Sequence, residues 1–532
     1  MPTRDELLVI LDLTSTILRA GQGVHELIRA PQIELPTRLG LKRDGTGKVE
    51  DYLVGQQLVE AERKPLAERD FDVVHPMRID ERVGLEVVDW VGLEAIFRYA
   101  LHTSLGLQRP PLANNCVLSV PPSLSPSTVD RLHQLMFERL LVPSLLLSTR
   151  PFFAAASAGI LSGVVLDIGY RGEGTELSVV HENMIVEGPS GLRLPHVDEG
   201  ACDDWCALQL LEADPTLPQQ FAGAKKASDL GPGELAYALR AVVGELKARD
   251  MIGFESPLIG TSGAAVAAGP AIGEEEGSFD IAKAVVEGKV NDIVKKKGKG
   301  KAAEEDEGDF VRVPNPFAPP PPAIDLSLGP NDQPAPAPYS TLRIGPARHR
   351  YLEPLFLPQL IAGLAPSAGG SAAALALQEY ERFAGAERER LLESAGVHEA
   401  VGAVLSRVED LETRGAVSET VVLISSGRIA SNKALPAALA PLLTPFRPDP
   451  SSAELAAIAA EGGVPPQKGI RVARGSPDYF ANFMERAGEL AVYLGGCVMG
   501  KLLIGDSQSK LFMSKAEYGA HGPAYYRRLD MV

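Results

Sequence analysis

Tyr493-Leu494-Gly495-Gly496, then Val498, Met499, Leu502 and Leu503, then Ser514-Lys515-Ala516-Glu517-Tyr518 and Gly522-Pro523, form the stretch on which the reading of this fold turns. A Gly-Gly pair after an apolar run permits close backbone approach and positive φ. The apolar residues that follow recur at helical spacing.

Working outward, strands alternate with helices. Leu7 to Leu13 reads as a buried strand, Thr14-Ser15-Thr16 as a turn, and Ile17 to Ala20 as the returning strand of a hairpin. Val87 to Leu105 has helical periodicity, and Asn115 to Val120 reads as a strand running into Pro121-Pro122. Ser127 to Leu140 is an amphipathic helix with Ser125 or Ser127 as its N-cap. Phe152 to Ile160 is a small-residue helix. Gly163 to Asp167 is a second buried strand with Leu177 to Val180 as its hairpin partner, and Val421 to Ile424 is another. This alternation indicates α/β layers.

The middle differs. Lys295 to Lys301 is basic, Glu304 to Glu307 is acidic, and ten prolines fall between Pro314 and Pro338. Such composition buries too little apolar surface to offset its ordering entropy. Residues 256–340 are therefore expected to be a disordered insertion, with Phe279 to Val294 as an island able to dock, and Pro448 to Lys468 a smaller one.

At 532 residues the chain can form two or more domains. A net charge of −17 argues against a protein that coats nucleic acid, so DNA is expected only indirectly, through a complex. No run of eighteen uninterrupted apolar residues predicts a membrane span, and the first residues lack a signal-peptide layout. Four scattered cysteines, Cys116, Cys202, Cys206 and Cys497, fit a reduced intracellular compartment and predict no metal site.

Several blocks in order resemble actin and the actin-related proteins. Val117-Leu118-Ser119-Val120 through Met136-Phe137-Glu138 is similar to actin's strand, proline turn and "MFE" helix. Gly163 to Asp167 resembles its second phosphate hairpin, Leu342 to Pro358 its "ITIG…EALF.P" block, and Gly396 to Glu399 the helix after it. The quoted closing stretch resembles its C-terminus. The resemblance implies an actin-like α/β fold: two similar lobes, each a mixed sheet flanked by helices, plus the long disordered insertion. By alignment, residues 1–36, 74–157 and 486–532 would form a subdomain 1, and 37–73 a subdomain 2. Residues 158–193 and 396–485 would form a subdomain 3, and 194–395 a subdomain 4 carrying the insertion.

Ile33-Glu34-Leu35-Pro36-Thr37, Gly277-Ser278-Phe279-Asp280-Ile281-Ala282 and Ser476-Pro477-Asp478-Tyr479-Phe480 further resemble the fungal actin-related protein 9 class of the SWI/SNF and RSC chromatin remodellers. That class implies a nuclear scaffold subunit. Its expected partners are the helicase-SANT-associated helix of a Snf2-type ATPase and an actin-related protein 7-like subunit. The alternatives are a divergent pointed-end subunit of dynactin and an active actin-like ATPase.

The family holds ATP between two glycine-rich hairpins whose N–H groups cradle the phosphates. An acid before each turn helps hold the waters of a Mg²⁺ ion. By alignment those acids are Asp12 and Asp167. The turns depart from the pattern. Thr14 and Thr16 replace both glycines of "D-x-G-S-G" around Ser15, at a predicted cost in backbone strain. Arg19 replaces the phosphate-contacting lysine. The second turn keeps Gly169 but is longer, and the third loop keeps Gly427 alone of its "G-G-T". The water-positioning glutamine maps to Arg150, which cannot serve as a base.

The residues therefore predict a vestigial nucleotide site (Asp12, Ser15, Asp167, Gly169 and Gly427) with no catalytic residue and no bound ATP or Mg²⁺. Arg19, Arg150 and Arg171 either fill the phosphate space or pair with Asp12 and Asp167. The resemblance places the partner groove at Ala156, Val498, Met499 and Leu502, whose apolar side chains suit a docked helix.

Overall fold

The computed structural model describes residues 8–23, 28–64, 68–80, 84–222, 232–259, 309–318, 340–362, 393–447, 469–475, 480–505 and 511–529. The chain divides into two compact units. The larger comprises Met1–Trp205, Leu352–Ala365 and Glu379–Val532, and the smaller comprises Cys206–Tyr351 and Pro366–Gln378.

The larger unit contains two mixed sheets built on one plan. In the first, strand Leu8–Leu13 pairs antiparallel with Ile17–Gln22, forming the first hairpin, and parallel with Asn115–Val120. In the second, Gly163–Ile168 pairs antiparallel with Thr175–His181, forming the second hairpin, and parallel with Thr420–Ser425. Each sheet has six strands. The inner strands are covered on both faces, which is why they read as mostly apolar runs rather than alternating ones, with Asp12 and Asp167 among the charged exceptions. All six positions of Leu8–Leu13 and all six of Thr420–Ser425 are buried.

Helices Arg150–Ala158 and Ala487–Gly505 pack on each other and on strands of both sheets. One core joins Leu8, Ile10 and Val117 of the first sheet to Val165, Val422 and Ile424 of the second through Phe153, Leu490 and Leu494. The Gly-Gly pair sits inside the helix rather than before it. Gly495 permits the close approach, since a Cβ there would lie 1.8 Å from the Phe153 carbonyl oxygen. It does not serve a positive φ, for neither glycine has one. By length and composition alone residues 481–504 would suffice to cross a membrane, but two-thirds of their apolar window is buried inside the protein.

The closing motif docks on the block read as "MFE". Ser514 and Glu517 form a capping box on helix Lys515–His521, with the Glu517 N–H 3.2 Å from Ser514 Oγ and the Ser514 N–H 2.8 Å from Glu517 Oε2. The Tyr518 ring stacks on Phe137 at 4.7 Å, and its hydroxyl donates to Glu138 at 2.5 Å.

Boundaries shift at three places. Gly84–Val87 is a strand, and the helix behind it is Trp90–Arg98, N-capped by Asp89. Ser125, not Ser127, caps the helix Pro126–Gln134. The small-residue helix begins two residues early, at Arg150, which matters for the site below.

The smaller unit contains helices Leu217–Ala222 and Pro232–Ala248 and the strand pair Val311–Pro314 with Thr341–Ile344. Within residues 256–340, expected to be mostly disordered, Val311–Pro314 forms a strand that the sequence reading did not place. Its valines alternate inward while Leu342 and Ile344 face them, a pattern that buries one side of a two-stranded ribbon. Asp309 secures the entry to it, accepting from Arg348 Nη2 at 2.5 Å and standing 2.8 Å from His349 Nε2. Residues 260–308, 319–339 and 448–468, and with them Phe279 to Val294, the charged runs and most of the proline stretch, lie outside the described residues.

Candidate functional site

The parallel pairing in each sheet aims both hairpin turns at one place, and Asp12 and Asp167 end up on either side of one guanidinium. Arg150, the first residue of its helix, donates from Nη1 to Asp12 Oδ1 at 2.7 Å and from Nε to Asp167 Oδ2 at 2.7 Å. Its side chain is 2 % exposed. Asp12 also accepts from Ser119 Oγ at 2.7 Å. Burial opposes the Arg150 charge, but Asp167 and Asp12 outweigh it and hold the pKa above the ordinary arginine value. Burial pushes the Asp167 carboxyl up, against the pull of Arg150 and with help from Glu173 and Asp12.

Arg19 lies directly across the strand pair from Asp12. Its side chain is fully buried, with Nη1 standing 3.6 Å from Asp12 Oδ2. Nη2 donates to the Ser426 carbonyl at 2.7 Å and to Glu489 at 3.2 Å. Glu489 is shared with Arg486, which also reaches Glu34. Of the two alternatives for the arginines, Arg19 and Arg150 pair with the acids. Arg171 does not join them and pairs instead with the buried Asp204 at 3.2 Å.

The first turn carries no strain of the expected kind, because none of Thr14, Ser15 and Thr16 has a positive φ. The Thr14 hydroxyl closes the turn from within. It lies 3.2 Å from the Thr16 N–H and 3.0 Å from the Ile17 N–H, accepting from both. Two N–H groups of this turn are thereby used by the turn itself.

Glu173, in the lengthened second turn, is the residue that sequence reading did not single out. Its Oε1 accepts from Ser15 Oγ at 2.5 Å and from Thr16 Oγ1 at 3.2 Å. Its Oε2 accepts from the Tyr170 N–H at 2.7 Å and from the Ser426 hydroxyl. The carboxylate thus ties the first turn, the second turn and the loop after Thr420–Ser425 together. Gly169 survives because the turn folds back on it. A Cβ there would stand 2.3 Å from Glu173 Cβ, and its N–H donates to the Gly174 carbonyl at 2.8 Å. Gly427 is packed under a second unforeseen acid, since a Cβ there would lie 2.1 Å from Glu199 Oε2. That oxygen accepts from the Ile429 N–H at 2.9 Å.

A cavity of about 40 Å³ remains beside this group, lined among others by Ser15, Arg150, Asp167, Glu173, Glu176 and Ser426. It has room for a few water molecules. Glu176 lies across the strand pairs between Asp167 and Arg193. Burial and the Asp167 charge, opposed by Arg193, push it up to about 7. In chemical terms the site is an ion cluster whose acids are engaged by arginines, hydroxyls and backbone N–H groups.

Residues 4–190, which include both hairpins, match the family model for actin. Over these residues the chain resembles an actin domain. Its mixed α/β architecture, with sheets flanked by helices, is the actin-like fold. The expected partner-groove residues fall on the two central helices, Ala156 inside the matched residues and Val498, Met499 and Leu502 beyond them. Ala156, Val498 and Met499 are half-buried, and Leu502 is 63 % exposed. Val498 and Met499 pack against the shared core from its edge. All four cysteines are buried and unbridged.

Proposed function

We propose that this chain is a non-catalytic actin-related scaffold subunit of a nuclear ATP-dependent chromatin remodelling complex. The observation that carries the non-catalytic half is Arg150. It takes from Asp12 and Asp167 oxygens with which they would hold the waters of a Mg²⁺ ion, and it fixes a positive charge between them. A second cation at that point meets direct repulsion from the buried guanidinium. The residues present do not fit a Mg-nucleotide.

The scaffold half is supported by the two central helices. Leu502 is exposed one turn beyond the half-buried Val498 and Met499, so an apolar strip continues from the core to the surface. This suits an amphipathic helix that inserts anchors at i, i+3, i+4 and i+7. The choice of a remodeller over a dynactin filament is supported by the sequence resemblances at Ile33 to Thr37, Gly277 to Ala282 and Ser476 to Phe480.

Affinity purification of the full chain from its native cells, read by mass spectrometry, tests this. A Snf2-type ATPase and a second actin-related protein should co-purify, and Met499→Asp with Leu502→Asp should release them while thermal unfolding stays near that of the wild type. Dynactin components in the wild-type pull-down, or an unchanged ATPase yield with the double variant, would contradict the proposal.

A further inference from the structure

We propose that Glu173 is the resident anion of this cleft. Its carboxylate takes the donors that a phosphate would need, and so shuts out phosphate-bearing ligands. The proposal rests on the non-catalytic reading and adds the group that enforces it. Four donors converge on one carboxylate: the hydroxyls of Ser15, Thr16 and Ser426 and the N–H of Tyr170. They come from three segments far apart in sequence. Several O–H and N–H donors aimed at one negatively charged group make an oxyanion site, and here that site is filled from within.

The backbone is built around this placement. Gly172 and Gly174, on either side of Glu173, have φ of +86° and +71°, which any other side chain would resist. Arg193 Nη2 fixes the Glu173 carbonyl at 2.9 Å. The Tyr170 N–H that donates to Glu173 also lies 2.8 Å from Ser426 Oγ, so the turn is locked to the third loop as well as to the first. A carboxylate tethered in this way competes at an effective concentration of roughly millimolar or above, which a free phosphate at lower concentration does not match. Arg150 and Glu173 are complementary in this reading. One supplies the positive charge between the acids and the other supplies the negative charge between the turns.

Thermal unfolding of the full chain, in inorganic phosphate and in chloride at matched ionic strength, tests the assignment with wild type, Glu173→Ala and Glu173→Gln. The wild type should gain from phosphate only the small non-specific stabilisation that this salt gives any folded chain. Glu173→Ala should unfold earlier in chloride and recover about 1–2 °C in phosphate at about ten times its dissociation constant. Glu173→Gln keeps an acceptor but loses the charge, and should recover less. If Glu173→Ala does not fold, the phosphate-specific gain must appear in Glu173→Gln. A wild type that gains as much from phosphate as the variants, or folded variants with no phosphate-specific gain, would overturn the proposal. Either result would leave the non-catalytic reading standing, which only binding or turnover of Mg-ATP by the wild type would remove.

Discussion

At the scale of single residues, the cleft is a balance of buried charges, and Glu176 is where that balance becomes measurable. Its carboxyl is pushed up to about 7 by burial and by Asp167, with Arg193 opposing. An acid whose pKa is raised on folding favours the folded state while it is protonated. Its contribution is full below the unfolded value near 4.5 and is lost as pH rises through about 7. Glu176→Gln should therefore flatten the fall in stability over that window. At pH 8 it should stabilise the protein by about 1–3 kcal/mol, measured by urea unfolding at pH 5 and pH 8. Equal urea midpoints for variant and wild type at pH 8 would count against this account of Glu176. At this scale Asp12, Asp167 and Arg150 were legible in the sequence only through the resemblance to actin, whose alignment assigns their places. Glu173 and Glu199 were not. Their roles depend on contacts with Ser15, Ser426 and Gly427, more than 150 residues away in sequence, and nothing local distinguishes them from solvated turn acids.

At the scale of elements, the pair Arg150–Ala158 and Ala487–Gly505 holds the design together. It carries Arg150 at one end, shares a core with both sheets, and presents Leu502 at the other. The closeness of the pair depends on Gly495, whose added Cβ would meet backbone rather than a movable side chain. Gly495→Ala should cost about 1–3 kcal/mol through overpacking. Gly519, in helix Lys515–His521, has open space around its would-be Cβ and no positive φ. Gly519→Ala should instead gain up to about 1 kcal/mol from helix propensity. Urea unfolding of the two variants checks the contrast, and similar shifts in both would show that the helix contact is not what Gly495 provides. The sequence announced close approach here but not its setting. Gly-Gly was expected to precede a helix, and the surrounding apolar residues instead carry the helix straight through it.

At the scale of the molecule, the inner strands were readable from the sequence because they are largely apolar runs bounded by turns, broken in the first strand of each hairpin only by Asp12 or Asp167, while their repeated plan was implied by the resemblance to actin. The strand Val311–Pro314 escaped notice because its short alternating pattern is embedded in proline-rich sequence that reads as a spacer. What the two sheets create is a meeting point of two acids, and what this chain has placed there is its own arginine and its own glutamate. The protein's own charges thus occupy the space between the two turns. Isothermal titration of the purified wild-type chain with Mg-ATP tests this most directly. The account predicts no saturable heat of binding at nucleotide concentrations up to about 1 mM, the upper end of typical enzyme substrate constants, whereas a stoichiometric isotherm with micromolar affinity would contradict it.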